Sequence, residues 1–428
     1  MRYLLLTILL LNVAATQAQI PDAVYSPRIQ TVMLYRTGNQ LSPPIMPIGA
    51  AGALELHFDD LDAGAKNYSY TFQLCNADWT PAILSTFDYI RGFPNQRITN
   101  YRIASVSLTR YTHYSAQLPD RNCMPSRSGN YILKVFANND TSKTIFTKRM
   151  MVVDEQSAIT AQVQQPFNGQ IFKTHQKIQF KVALNEKLNV VNQFQQINVV
   201  IMQNYRWDNA VTNIKPSFFG RNVLEYNTEN DAVFPAGKEW RWLDMRSIRF
   251  QSDRIDKVNY RNANATPDVF VKPDADRSVQ RFNFFRDNNG MFTIETTESV
   301  NPFWQADYAF VHFSYVPANN APFPDKDLFI VGELTDYNLN DSAKMVFNAE
   351  KGVYERMIML KTGYYDYCYA TIDRGDPKRK TSFNFTEGNY WETENLYTIL
   401  VYYRPLGGRA DELVGITTLN SRTDRPGF

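Results

Sequence analysis

The chain has 428 residues, a formal net charge of +2, 44% hydrophobic and 14% aromatic residues. That length exceeds what one core serves, so two to four domains are expected, and the apolar content excludes a disordered chain. The near-balanced charge excludes a phosphate-tracking surface: "DPKRK" (Asp376 to Lys380) is short and turn-rich, so nucleic-acid binding is not expected.

In chain order, residues 1–18 read as a signal peptide. Arg2 supplies a positive start, "YLLLTILLLNVAA" an apolar centre, and "TQA" a small-residue cleavage site before Gln19. The apolar stretch is too short to span a bilayer, and Gln19 in place of Cys excludes lipid attachment there. The rest of the chain has no apolar run of that length. The mature chain is therefore expected to be exported, with no direct membrane insertion, and to reach a membrane only through a partner.

Residues 19–157 are expected to form the first domain. "QTVMLYR", "ALELHF", "NYSYTFQL", "YRIASVSL", "NYILKVFA" and "IFTKRMMVV" are short strand-like runs between turn residues. In "YSYTFQLC", Tyr68, Tyr70, Phe72 and Leu74 share one face and Ser69, Thr71, Gln73 and Cys75 the other, the period-2 pattern of a half-buried strand. In "RSGNYILKV", Gly129 sits in a turn before Tyr131, as in a tyrosine corner whose hydroxyl bonds back to the preceding backbone. Residues 158–317 are read as a second β-sandwich-like domain with larger excursions, and the Asn/Asp/Pro-rich stretch Asn259 to Asp276 as a loop. The Pro/Asn-rich joint "PANNAPFPDKD" leads into a third domain, residues 318–428, with strands in "LFIVGELTDYN", "TGYYDYCYATID" and "ENLYTILVYYRP". Aromatic and β-branched residues outweigh helical runs throughout. The fold class is all-β: tandem β-sandwich domains of immunoglobulin-like or early-set type.

The sequence carries no GxxxxGK[ST], GxSxG, HExxH or paired CxxC. His57, His113, His175 and His312 are scattered without metal-ligand spacing, and His312 reads as a hydrogen-bonded packing residue. The carboxylates of "DDLD" (Asp59 to Asp62) and "DAD" (Asp274 to Asp276) fall in loop-like stretches, where they are expected to be solvated. "FRDNNGM" is a turn rather than a calcium loop. No catalytic, metal or cofactor site is expected, and the chain reads as a non-enzyme. In "SYTFQLCNADWTP", Cys75 ends a strand without a neighbouring base; core filling and a bridge to Cys123 both remain open. Asp78 reads as a turn aspartate and Trp79 as an anchoring aromatic, so Cys75, Asp78, Trp79, Gly129 and Tyr131 are assigned structural roles.

Four stretches in order, "YSYTFQLCNADWTPAILSTFDYIRGFPNQRITNYRIASVSLTRYTHYSAQLP", "SGNYILKVF", "EWRWLDMRSIRF" and "YYRPLGGRADELVGITTLNS", resemble the plug proteins of the type IX secretion system of Bacteroidetes. The resemblance implies a periplasmic protein that partners a very large outer-membrane translocon β-barrel (SprA-like), and other type IX components, and closes its periplasmic mouth by bulk. Within "RPLGGRADE", Arg404, Arg409, Asp411 and Glu412 are candidate partner-binding residues; an internal Arg–Asp network is the competing reading. "LFIVGELTDYN…KGVYERMIMLKTGYYDYCYATID" also looks like early-set modules that bind glycogen or starch, with Tyr337 near the family's Trp and Trp391 the nearest Trp. Periplasmic or surface carbohydrate binding is thus the alternative.

Overall fold

In this computed structural model the described residues are 22–426, except 221 and 263–264; the stretch read as a signal peptide, residues 1–18, lies outside them. The fold is all-β, built of sandwiched, mostly antiparallel sheets. The first sandwich spans residues 22–154. One sheet runs Ala23–Val24, Thr144–Val153, Gly129–Ala137, Tyr68–Cys75, Asn95–Ile98, with Ile45–Pro47 parallel to Thr144–Val153. The other runs Ile29–Arg36, Leu54–Asp60, Thr112–Leu118, Asn100–Ile103. Between them Tyr68, Tyr70, Phe72 and Leu74 meet Leu54, Leu56, Phe58 and Tyr114. This is the face that the period-2 pattern assigns to the core. Phe58 stacks on Tyr114 at 5.1 Å and takes Phe146 edge-on at 5.0 Å. Each such buried ring contributes about 1.5–3 kcal/mol.

Strand Ile29–Arg36 serves two cores. Val32 and Leu34 point into the first sandwich, while Met33 and Tyr35 belong to the cluster built by residues 240–372. The alternation of side chains across a strand makes this possible.

Beyond residue 155, sheets cross the expected boundary at residue 317. Strand Ile197–Gln203 pairs with Leu396–Tyr403, which forms a hairpin with Glu412–Asn420. This three-stranded sheet covers the sheet of Ser157–Gln164, His175–Leu184, Val223–Tyr226 and Phe218–Phe219. Arg241–Asp244 pairs instead with Gly363–Asp373, and Tyr308–Val316 with Val353–Lys361. The middle sandwich thus draws on residues 157–235 and 396–420, and a third body on residues 240–373. The joint after Val316 is a turn within that third body, because apolar strands on both sides of it share one core.

The stretch read as a loop from Asn259 to Asp276 is corrected in part. Asp268–Val271 and Asp274–Ala275 run parallel to Tyr308–Val316. Val269 and Val271 are buried, and the aspartates that suggest a loop are held by His312, Arg241 and Arg254.

Candidate functional surface and its buried joints

Cys75 lies opposite Asn130 at the end of its strand, fully buried. All three cysteines are free thiols. Burial pushes Cys75 and Cys123 up to about 12, so neither is a thiolate at neutral pH. The bridge left open by the sequence is absent, and core filling is the role of Cys75. Asp78 closes its turn as expected, accepting from the Thr80 amide at 3.0 Å and hydroxyl at 2.6 Å. Trp79, with φ of 67°, projects out of the first sandwich onto Trp207 of the middle one, edge to face at 4.8 Å. The Arg149 guanidinium covers both rings, at 5.0 and 5.4 Å.

The terminal hairpin packs on the same joint. Arg404 donates to Asp411 Oδ1 at 2.7 Å and to Asn76 Oδ1 at 2.8 Å. The Ala77 amide donates to Asp411 Oδ2 at 2.9 Å. Tyr402 donates to Asn130 Oδ1 at 2.8 Å, and Asn130 donates back to the Asn76 carbonyl at 3.1 Å. Beneath lies an apolar cluster of Ala77, Met151 and Val153 from the first sandwich with Val200, Met202, Leu400 and Leu413 from the middle one. Gly129 permits this approach: its φ is 141°, and a Cβ there would stand 2.9 Å from the Asp411 carbonyl oxygen. Tyr131 donates to the Arg127 carbonyl at 2.9 Å, the contact expected of a tyrosine corner. Arg127 faces Glu412 at 3.8 Å. The structure therefore brings Arg404, Asp411 and Glu412 together in an internal network tying the hairpin to the first sandwich. Arg409, with Leu406, stays exposed.

A second joint, missed by sequence reasoning, links the first sandwich to the third body. Lys361 lies 2.5 Å from Asp59 and also donates to the Phe303 carbonyl at 2.5 Å. Tyr308 donates to Asp59 Oδ2 at 2.5 Å, and His113 bonds Oδ1 at 2.7 Å. His57 continues the chain, 3.0 Å from His113 and stacked 4.2 Å from Phe303. Burial opposes ionisation of Asp59, but the Lys361 ammonium and the His113 bond outweigh it and hold the carboxyl below its usual value. Burial, with His113 alongside, pushes His57 down to about 3. Asp59, Asp60 and Asp274, expected to be solvated, are instead fully buried. Asp59 and Asp60 end a strand; Lys361 and Tyr308 from distant segments take the charge of Asp59, and the nearby Lys66 and Tyr68 that of Asp60. His312 bonds Asp268 at 2.8 Å and stacks on Phe270, as a packing histidine.

A third joint pairs Lys148 of the first sandwich with Asp336 of the third body, next to the Arg149–Asp22 pair within the first sandwich, beside a cleft of about 290 Å³ that Tyr205, Glu333 and Tyr337 also line. Tyr337 meets Trp240 edge-on at 6.3 Å, and the Arg425 guanidinium lies 4.1 Å over Trp391. These two aromatics form no shared exposed row. Among the described residues, no group of His, Cys, Asp and Glu could hold a metal, and no helix is long and apolar enough to cross a membrane.

Three sandwiched bodies joined by polar networks define a multi-body all-β scaffold. Residues 29–154 match the family model "Type 9 secretion system plug protein 1st domain". The chain is similar to the crystal structure of a hypothetical protein from Parabacteroides merdae ATCC 43184, with TM-score 0.88 and 30% identity over 94% of this chain and 100% of that one. No curated protein matches. The chain belongs to the type 9 secretion system plug protein family, a structural part of that secretion machinery.

Proposed function

We propose that the chain is a non-enzymatic periplasmic plug that occludes the periplasmic opening of the outer-membrane type IX translocon barrel, a SprA-like protein. The observation that carries this reading is the set of three buried joints. A body that blocks a wide pore by bulk must not flex open; buried ion pairs tie the first sandwich to the third body, and hydrogen bonds from Arg404 to Asn76 and from the Ala77 amide to Asp411 tie it to the middle one. Removal of the signal peptide would leave the chain in the periplasm, held at the outer membrane by its partner.

The test is a pull-down of the tagged full-length chain from gently solubilised outer membranes, with mass spectrometry of the co-purifying proteins. Near-stoichiometric recovery of one very large barrel protein is expected. Recovery of the chain alone would overturn a stable plug complex.

A further inference from the structure

The stretch "RMIML", residues 356–360, carries an open backbone edge. Its strand, Val353–Lys361, pairs along one side with Tyr308–Val316, in register from Tyr354 to Lys361. On the other side Val346–Asn348 covers only Val353 to Glu355. Among the described residues no strand pairs with the outer side of residues 356–360, and no turn bonds to their backbone there. A strand turns the N–H and C=O of alternate residues to each side, so this edge has unpaired groups. Met357 is 47% exposed, and residues 357–360 hold none of the charges, prolines or bulges that keep an open edge from pairing.

The edge faces a groove. A cavity of about 380 Å³ runs along residues 356–361, with Ile29 to Val32 of the first sandwich on its far wall. That wall belongs to the end strand of its sheet, where a bulge between Gln30 and Met33 and a φ of 52° at Thr31 break the regular ladder. It therefore offers side chains, and residues 356–360 offer the ladder. Ser26, Gln30, Thr31, Asn338, Asn340 and Ser342 give the groove uncharged polar walls. Its charged lining is balanced, Glu333 and Asp336 against Arg356 and Lys361. Lys148 takes Asp336, Asp59 takes Lys361, and Glu333 accepts from the Phe292 amide at 3.1 Å. Arg356 Nε is buried and has no acceptor.

These features select the occupant. Unpaired groups on a strand edge are satisfied by another backbone, and a peptide carbonyl also suits Arg356 Nε. Balanced walls favour a segment without charge. A second copy does not fit, because its own edge of this kind is recessed in its own groove. The chain's carboxyl end is held elsewhere, with the Arg425 guanidinium 4.1 Å over Trp391.

We infer that this groove takes an extended, uncharged segment of the translocon as an added strand beside residues 356–360. The inference rests on the plug reading and adds the place and the backbone chemistry of contact.

The test is hydrogen exchange with mass spectrometry on the full chain, alone and in the co-purified complex. Amides of residues 356–360 are expected to slow about tenfold or more in the complex. Those of Asn100–Ile103, an exposed edge strand of the first sandwich, are expected to stay unchanged. A photo-crosslinking amino acid at Gln30, across the groove, should form adducts to one uncharged barrel segment. Gln30→Trp, which fills the groove from a half-buried wall position, should lower barrel recovery about tenfold with an unchanged melting temperature. Unchanged exchange at residues 356–360 in a complex that contains the barrel would overturn the inference and leave the plug reading intact. So would adducts only to a second copy or to the chain's own residues before Asp22, or full barrel recovery by Gln30→Trp. No barrel in any preparation would overturn both.

Discussion

The Lys361 ammonium and the Asp59 carboxylate meet at 2.5 Å although 302 residues separate them, and neither side chain has contact with solvent. Desolvating two charges is costly, and the pair is maintained by Tyr308, His113 and the Phe303 carbonyl, which satisfy the remaining bonds. Replacing Lys361 by Met should leave Asp59 buried without its cation and cost about 3–5 kcal/mol. The double variant Lys361→Met with Asp59→Asn should recover part of that loss. Urea unfolding of the three variants would check this; a single variant as stable as wild type would contradict the geometry.

Gly129 and Arg404 separate backbone from charge effects at the hairpin joint. Gly129→Ala forces a side chain into a left-handed conformation and against the Asp411 carbonyl, and should cost about 1–3 kcal/mol. The Arg404 side chain is 42% exposed, so its pair with Asp411 is screened. Arg404→Ala should cost only about 1 kcal/mol or less. Thermal melts of both variants would show the order, and equal losses would contradict it.

The thiols give a chemical test. Cys75 and Cys123 are pushed up to about 12 by burial, and Cys368 is buried too. The folded chain should resist iodoacetamide at pH 8, and denaturant should expose all three thiols to alkylation. Rapid native labelling of Cys75, or a disulfide in the intact mass, would contradict the structure.

Stability should fall on the alkaline side. Burial, with Asp287 nearby, pushes Asp366 and Glu239 up to about 8, and burial pushes Asp287 up to about 7. Each keeps its proton in the folded chain over a range where the unfolded chain has released it. Their contribution is therefore complete below the ordinary carboxyl range near 4 and is lost as pH rises through about 8. Glu387 acts in the other direction: burial opposes its ionisation, but Arg241 and Arg277 hold it at about 2, so its contribution is lost as pH falls from about 4.5 towards 2. Asp366→Asn should flatten the decline between about pH 4 and pH 8 by about 1–3 kcal/mol. An unchanged urea-midpoint profile would refute the assignment.

The strands were legible wherever one face is buried, as in Tyr68–Cys75, because alternation is then explicit in the sequence. Local contacts were legible too: the Asp78 turn and the Tyr131 hydroxyl bond each close within four residues. Ile29–Arg36 shows the limit. Its centre, Val32 to Tyr35, is apolar without alternation because Met33 and Tyr35 serve the third body while Val32 and Leu34 serve the first. The polar joints were hidden for the same reason. Nothing beside Asp59 in the sequence announces a lysine 302 positions away, and a carboxylate without a visible partner reads as solvated. For the hairpin, the sequence left an internal network and an interface side by side. Arg404 and Asp411 fall to the first, and Arg409 remains for the second.

The long return of the hairpin to strand Ile197–Gln203 also constrains the order of events when the chain folds. Gln203 waits for Tyr397, which comes 194 residues later, so the middle body has no second sheet until the hairpin has been delivered. The first sandwich needs no such partner and can close early from its own strands. A chain emerging amino end first would thus present a finished head, an open middle and a growing third body. The hairpin then acts as a latch: the segment that completes the middle sandwich also fastens Arg404 and Asp411 onto Asn76 and Ala77. Closure of the middle and attachment to the head become one late event, and a partly delivered chain lacks the latch that holds these two bodies together.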